Sequence, residues 1–265
     1  MTQVHLVIPD TQTKQGVPNQ HLTWIGKYIV DYQPDTIIHL GDHWDMSALS
    51  TYSPALEKEG QRLILDIEAG NKGFELLDAP LIRYNKSRVK RKKKQYAPRR
   101  EFLHGNHEHR ITRYVDNHPE LAGFLDITQL RCDGWNVNDF LEVVKIDGVW
   151  YSHFFYNPKS GKPWGGRCDN ILTKVGNTFT MGHRQGKDVS ERTIGDGTTQ
   201  RGLIAGSCYL HEEKYLGPQG AESWHGIIIK HEVENGEYDL MEVSLNYLCR
   251  KYEQMPLDKF LKEIK

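Results

Sequence analysis

No apolar run in the 265-residue chain is long enough to cross a bilayer as a helix, and Met1-Thr2-Gln3 leads into a strand-like run with no basic n-region or cleavage site. These absences predict a soluble, cytoplasmic protein with no membrane partner. Cysteine is scarce: Cys132, Cys168, Cys208 and Cys249 are widely scattered with no CxxC pair, which argues against a zinc ribbon or a dithiol redox site and for reduced thiols. There is no internal repeat and no HExxH, and His104 and His107 straddle a strand end, so a zincin reading fails. Acidic residues are missing from Arg83 to Arg100, a stretch with ten of the 34 Lys and Arg. That leaves 24 basic against 35 acidic residues elsewhere, so the formal net charge of −1 conceals a segregated field.

What is present suits one globular domain over residues 1–265, with 38% hydrophobic and 26% charged residues. Val4 to Ile8 reads as a buried strand, residues 18 to 32 as an amphipathic helix, and Thr36 to Leu40 as a second buried strand, a β-α-β order that predicts a parallel pair. A helical stretch is expected from about Pro54 to Leu77, with Gly60, Gly70 and Gly73 weakening it. The basic segment at about 83–100 reads as an insertion before the strand Glu101-Phe102-Leu103, and residues 109 to 130 read mainly as helix. Later, Leu141 to Ile146 with Val149 to Phe155, and Ile227 to Val233 with Tyr238 to Val243, read as β-hairpins around Asp147-Gly148 and Asn235-Gly236. A short helix near Asn170 to Val175 and strands at Thr178 to Met181 and Leu203 to Ala205 lie between them. A helical tail is expected from about 245 to 265. The pattern predicts an α/β protein with two packed sheets and helices outside.

Three early strands each end in metal-capable groups: Asp10-Thr11-Gln12, Gly41-Asp42-His43-Trp44-Asp45 and Gly105-Asn106-His107-Glu108. Two more end at His153 and at Gly182-His183-Arg184-Gln185. Carboxyl ends of strands in an α/β sheet converge on one edge, where ligands bind. Taken singly, His153 reads as a strand-end histidine, Asp45 as a cap and Asn106 as a turn residue. The other histidines read as structural, with His43 set apart by lying inside a motif.

In this order the five motifs resemble the calcineurin-like metallophosphoesterases, over residues 10 to 185. The resemblance implies that family's fold, two mixed β-sheets packed as a sandwich with flanking helices, and a two-metal site. It implies that Asp42 bridges two divalent ions, that Asp10 completes the first site, and that Asn106, His153 and His183 complete the second. Carboxylate, amide oxygen and imidazole favour Mn²⁺, with Fe, Zn²⁺ and Mg²⁺ as alternatives. Gln12 and Gln185 stand where the family usually has histidines on the first metal. Either they coordinate through their carbonyls and favour a harder ion, or the first site is weak or empty.

The resemblance further implies attack by a hydroxide held between the ions, with His107 protonating the leaving oxygen and Asp45 orienting His107. Arg110 and Arg184, each beside a motif residue, are candidates for holding phosphate oxygens, with a surface ion pair as the alternative. The basic run, Lys92 and Lys93 included, leads towards the motif edge, and Tyr84 or Tyr96 could stack on a base, the alternative being a solvated loop. Together these favour a phosphodiesterase or nuclease acting on a nucleic acid or nucleotide. The protein-phosphatase branch carries Arg after GDxxD, where this chain has Met46. Phosphomonoesters and a non-catalytic binding member are the alternatives. The motif order and size also resemble phage-encoded members.

Overall fold

The computed structural model describes residues 2–51, 59–213 and 222–264. Two mixed sheets carry the chain. In the first, β1 (Gln3–Ile8), β2 (Thr36–His39), β3 (Arg99–Leu103) and β4 (Asn136–Asn138) run parallel, and β10 (Gly226–Glu234) and β11 (Glu237–Ser244) add antiparallel on the far side of β1. In the second, β5 (Val144–Ile146), β6 (Val149–Ser152), β7 (Phe179–Met181), β8 (Lys187–Thr193) and β9 (Thr199–Ala205) take the order β5-β6-β7-β9-β8.

Alternation along the strands builds the layers. Leu6 and Ile8 of β1, Ile37 of β2 and Ile227 and Ile229 of β10 share a core with α1 (Gln20–Tyr32), α2 (Leu63–Lys90), α5 (Leu245–Glu253) and α6 (Leu257–Glu263). Their neighbours Val7, Ile38 and Ile228 turn the other way, onto Val144, Tyr151 and Leu203 of the second sheet. Phe179, Met181 and Ile204 form a third core with Ile171 and Leu172 of α4 (Cys168–Val175). The order is therefore helices, sheet, sheet, helix.

Several sequence expectations shift. The helix expected from Pro54 begins at Leu63 and runs to Lys90; residues 52–58 of that expectation lie outside the described residues. The first half of the basic segment is thus the end of α2, followed by a turn. Cations suit this place, because a helix C-terminus carries partial negative charge. The helix expected over 109 to 130 is α3 (His109–Asn117), followed by single turns. Strands β4 and β8, absent from the sequence reading, are edge strands rich in polar residues. No described helix is long and apolar enough to cross a membrane.

Candidate metal centre

The motif residues meet just past the carboxyl ends of β1, β2, β3, β6 and β7. Parallel pairing continues beyond the strands: Gln12 N–H donates to the Asp42 carbonyl at 2.9 Å, Thr13 N–H to the His43 carbonyl at 2.7 Å, and Asp45 N–H to the Thr13 carbonyl at 3.0 Å. Three candidate ligands sit in the left-handed region, Gln12 at φ 39°, Asp42 at 48° and His183 at 66°. Such conformations are costly for non-glycine residues and concentrate where side chains must be aimed. Glycine is needed where carboxylates press on backbone: a Cβ on Gly105 would lie 2.1 Å from Asp42 Oδ1, and one on Gly182 2.5 Å from Asp10 Oδ1.

One cluster is tightly convergent. Ligand atoms of Asp42, His153 and His183 lie within 4.8 Å of one another. Asn106 Oδ1 stands 2.9 Å from His153 Nε2 and 2.8 Å from His183 Nδ1. His153 Nδ1 is 2.8 Å from the Leu40 carbonyl and donates to it, which aims Nε2 into the cluster, 3.3 Å from Asp42 Oδ2. Burial alone would lower His153, but Asp42 and Asp10 outweigh it and lift its pKa to about 9. His183 is pushed down to about 3 by burial and by His153. Burial would raise Asp42, yet His107 and His153 hold it well below the usual carboxylate range. The field of these buried carboxylates is one a cation would neutralise.

A second set adjoins it. Asp10 is fully buried, and burial with the nearby Asp42 raises its carboxyl to about 7, His153 opposing. Its oxygens accept from His183 N–H at 3.0 Å and Gln185 Nε2 at 3.3 Å. Gln185 Oε1 is buried with no hydrogen-bond partner among the described residues, and Gln12 is wholly buried in the same loop as Asp10.

Beside both sets, His107 Nδ1 lies 3.1 Å from Asp45 Oδ1, its Nε2 3.7 Å from Asp42 Oδ2, and its backbone N–H donates to Asp42 Oδ1 at 2.9 Å. Burial would lower the His107 pKa, but the Asp42 and Asp45 carboxylates raise it. Arg110 Nη2 donates to His107 Nε2 at 2.9 Å and its Nη1 to the Asp45 carbonyl at 2.8 Å. Arg184 instead turns away, donating to the Gly166 carbonyl at 2.5 Å.

Sequence reasoning missed what braces these groups. Glu108, fully buried, accepts from the N–H groups of Asp42 (3.0 Å), His43 (2.6 Å), Trp44 (3.0 Å) and Gly105 (2.7 Å), so it ties the second motif to the third. His43 proves structural: Thr11 Oγ1 lies 2.7 Å from its Nδ1 and the Gly70 carbonyl 2.9 Å from its Nε2. Lys14 and Glu213 were also missed. The period of two from Gln12 to Lys14, with the parallel pairing above, is the signal that places Lys14 beside Asp45.

The basic residues lie elsewhere. Strand β3 starts at Arg99 beside Asp35 and Thr36, at the amino ends of the strands, so Lys92 and Lys93 sit at the sheet edge opposite the cluster. Along α2, which rises about 1.5 Å per residue, Lys90 is roughly 25 Å beyond Gly73, the residue packed on His43. The expectation that this run leads to the motif edge is therefore corrected: only the strand it feeds does. Tyr96 OH donates to the Pro34 carbonyl at 2.5 Å, and Tyr84 OH accepts from Gln33 at 2.8 Å, so both rings are engaged in holding the turn.

No protein-family profile matches the chain. It is similar to the Gene 54 protein of Mycobacterium phage L5, 25% identical over 211 residues and 75% of each chain. Among solved structures, TT1561 of Thermus thermophilus aligns over 91% of this chain and 99% of that one, at 8% identity and a TM-score of 0.32.

Proposed function

We propose that this protein is a metal-dependent phosphoester hydrolase with the calcineurin-like fold, acting on phosphodiesters of nucleic acid. The observation that carries the reading is the meeting of Asp10, Asp42, Asn106, His153 and His183 beside a His107–Asp45 pair. The donors fit divalent cations: two buried carboxylates, two imidazoles, and amide oxygens of which Gln185 Oε1 has no other described partner. Asp42, Asn106, His153 and His183 would hold one ion, and Asp10, Asp42, Gln12 and Gln185 the other, Mn²⁺ being favoured. Bound there, the ions would polarise the phosphoryl group and lower the pKa of an attacking water.

The chain's own residues do the rest. His107 Nε2 faces Asp42 and the cluster, so once it is protonated and released by Arg110 it is placed to give a proton to the departing oxygen, while Asp45 lies on the far side of its ring. Arg110 can exchange its bond to His107 for a phosphate oxygen. The cations at the end of α2, remote from the cluster, would hold a polyanion at a distance. At 3.4 Å per base pair, 25 Å corresponds to about seven base pairs.

The test is Mn²⁺-dependent hydrolysis of bis-p-nitrophenyl phosphate and of a dinucleotide, beside p-nitrophenyl phosphate. Asn106→Ala should abolish turnover of both diesters. His107→Ala should lower dinucleotide turnover by about 10²-fold and the nitrophenyl diester far less, because p-nitrophenolate leaves without a proton. Neutralising Lys90 to Lys94 should weaken only longer polynucleotides and flatten their salt dependence. Gln12 and Gln185 favour a second reading, a binding member of the fold that lacks the first ion; absence of turnover on all three compounds would select it.

A further inference from the structure

An unbroken chain of ionisable side chains leads away from His107. Asp45 Oδ1 lies 3.1 Å from His107 Nδ1, and Asp45 Oδ2 is 3.5 Å from Lys14 Nζ and accepts from Ser47 Oγ. Lys14 Nζ is 2.6 Å from Glu213 Oε1, which also meets His211 Nε2 at 2.5 Å. Little of this is open to water: the side chains of Asp45, Glu213 and His211 are 8%, 6% and 8% exposed, and that of Lys14 22%. Lys14 belongs to the loop after β1, Asp45 to the loop after β2, and Glu213 and His211 to the segment after β9. That last segment is anchored beside the cluster: Cys208 N–H donates to the Asp10 carbonyl at 2.7 Å, and the Tyr209 ring stacks on His211 at 4.7 Å.

A carboxylate with one oxygen free can rotate about its terminal torsion, which is soft. Asp45 has no such freedom, because Lys14 and Ser47 occupy the oxygen that His107 does not use. Among the described ion pairs Lys14 meets Asp45 and not His107, and it is itself held from the other side by Glu213. Ion pairs this enclosed cost much when one member is removed, since the remaining charge is left buried.

We propose that Lys14 is a positioning residue for leaving-group protonation: clamped by Glu213, it fixes Asp45 and so aims the His107 ring, tying proton delivery to the docking of the 207–213 segment. The inference rests on the hydrolase reading above. In the step concerned the bond from phosphorus to the leaving oxygen breaks, the His107 Nε2 proton goes to that oxygen, and the attacking water supplies a hydroxyl to phosphorus and the proton that restores His107. The lysine matters only where the leaving oxygen needs a proton.

The experiment compares Lys14→Met, Lys14→Arg and Glu213→Gln on the dinucleotide and on bis-p-nitrophenyl phosphate, with bound metal counted in each. Lys14→Met should lower kcat on the dinucleotide by about 10- to 10²-fold, the scale of a misplaced catalytic group, with a much smaller effect on the nitrophenyl diester and full metal content. Lys14→Arg should restore most of the loss, and Glu213→Gln should act in the same direction. Equal losses on both diesters, no loss on either, or a raised KM at unchanged kcat would each overturn the proposal, the last by making Lys14 a phosphate contact. A wild type inactive on both would overturn the hydrolase reading instead. The lysine is then decided by the ¹⁵N spectrum of the His107 ring in Mg²⁺-loaded protein. Whatever the state of Nε2, it should show a protonated Nδ1 hydrogen-bonded to a carboxylate in the wild type and a weakened bond there in Lys14→Met; identical spectra would refute positioning.

Discussion

Glu108 shows how much of the candidate site rests on one wholly buried side chain. Its two oxygens accept four backbone N–H groups, two each, from both motif loops. In Glu108→Gln one oxygen becomes an amino group facing two of those donors. A buried donor left unsatisfied costs about 1–3 kcal/mol, so urea unfolding should show a loss of about 2 kcal/mol or more. A change within about 0.5 kcal/mol, the ordinary range for surface substitutions, would mean the loops hold each other without the carboxylate. The candidate ligands were legible in the sequence because each follows an apolar strand and keeps a recognisable neighbour. Glu108 sits in the same motif, yet nothing local says that its carboxylate reaches back to residues 42 to 44.

At the scale of elements, α2 explains what periodicity could not. Gly70 and Gly73, which as helix breakers weakened the expectation, are contact positions: a Cβ on Gly70 would lie 1.8 Å from Trp44 Cδ1, and one on Gly73 2.8 Å from His43 Nε2. The helix crosses the second motif loop there, and its first turn accepts the Ala48 N–H through Asp66 at 2.8 Å. Gly70→Ala gains about 1 kcal/mol of helix propensity but forces Trp44 to move, an overpacking cost of about 1–3 kcal/mol. The variant should therefore be less stable than the wild type in thermal unfolding, and a raised Tm would show that Trp44 has room to yield. The central strands were readable because both faces are buried and the residues run apolar. Strand β8, whose residues alternate between exposed and half-buried, carries the charges that protect a sheet edge and hides its strand character. The basic end of α2 misled for a related reason: charge composition marks exposure, and a helix end is as exposed as a loop.

Across the whole molecule, histidines buried in neutral form set the response to acid. Burial lowers His5 to about 4, against the pull of Asp147, and lowers His21 to about 3 and His104 to about 4. The unfolded chain takes up protons on these rings as pH falls through their ordinary value of about 6.5, while the native chain resists until near their lowered values. Stability from this source is full above that ordinary value and is lost as pH falls towards 4, by at most about 1.4 kcal/mol per pH unit for each ring. The urea midpoint should drop clearly between pH 7 and pH 5, and an unchanged midpoint would mean that the rings find proton acceptors on folding. The same distribution of charge separates two ends of the protein, a carboxylate and imidazole cluster at one edge of the first sheet and a cationic helix end at the other. A reader of the sequence meets the cations next to the third motif, and only the direction of β3 reveals that they lie apart.

The proposed function requires that the cluster be able to hold two divalent ions, with Asp42 serving both. The most direct measurement is the metal content of the purified protein, dialysed against Mn²⁺ and counted by elemental analysis, beside Asp42→Ala. Two ions per wild-type chain and none in the variant would agree with the account. Fewer than two in the wild type, or two retained without Asp42, would contradict it.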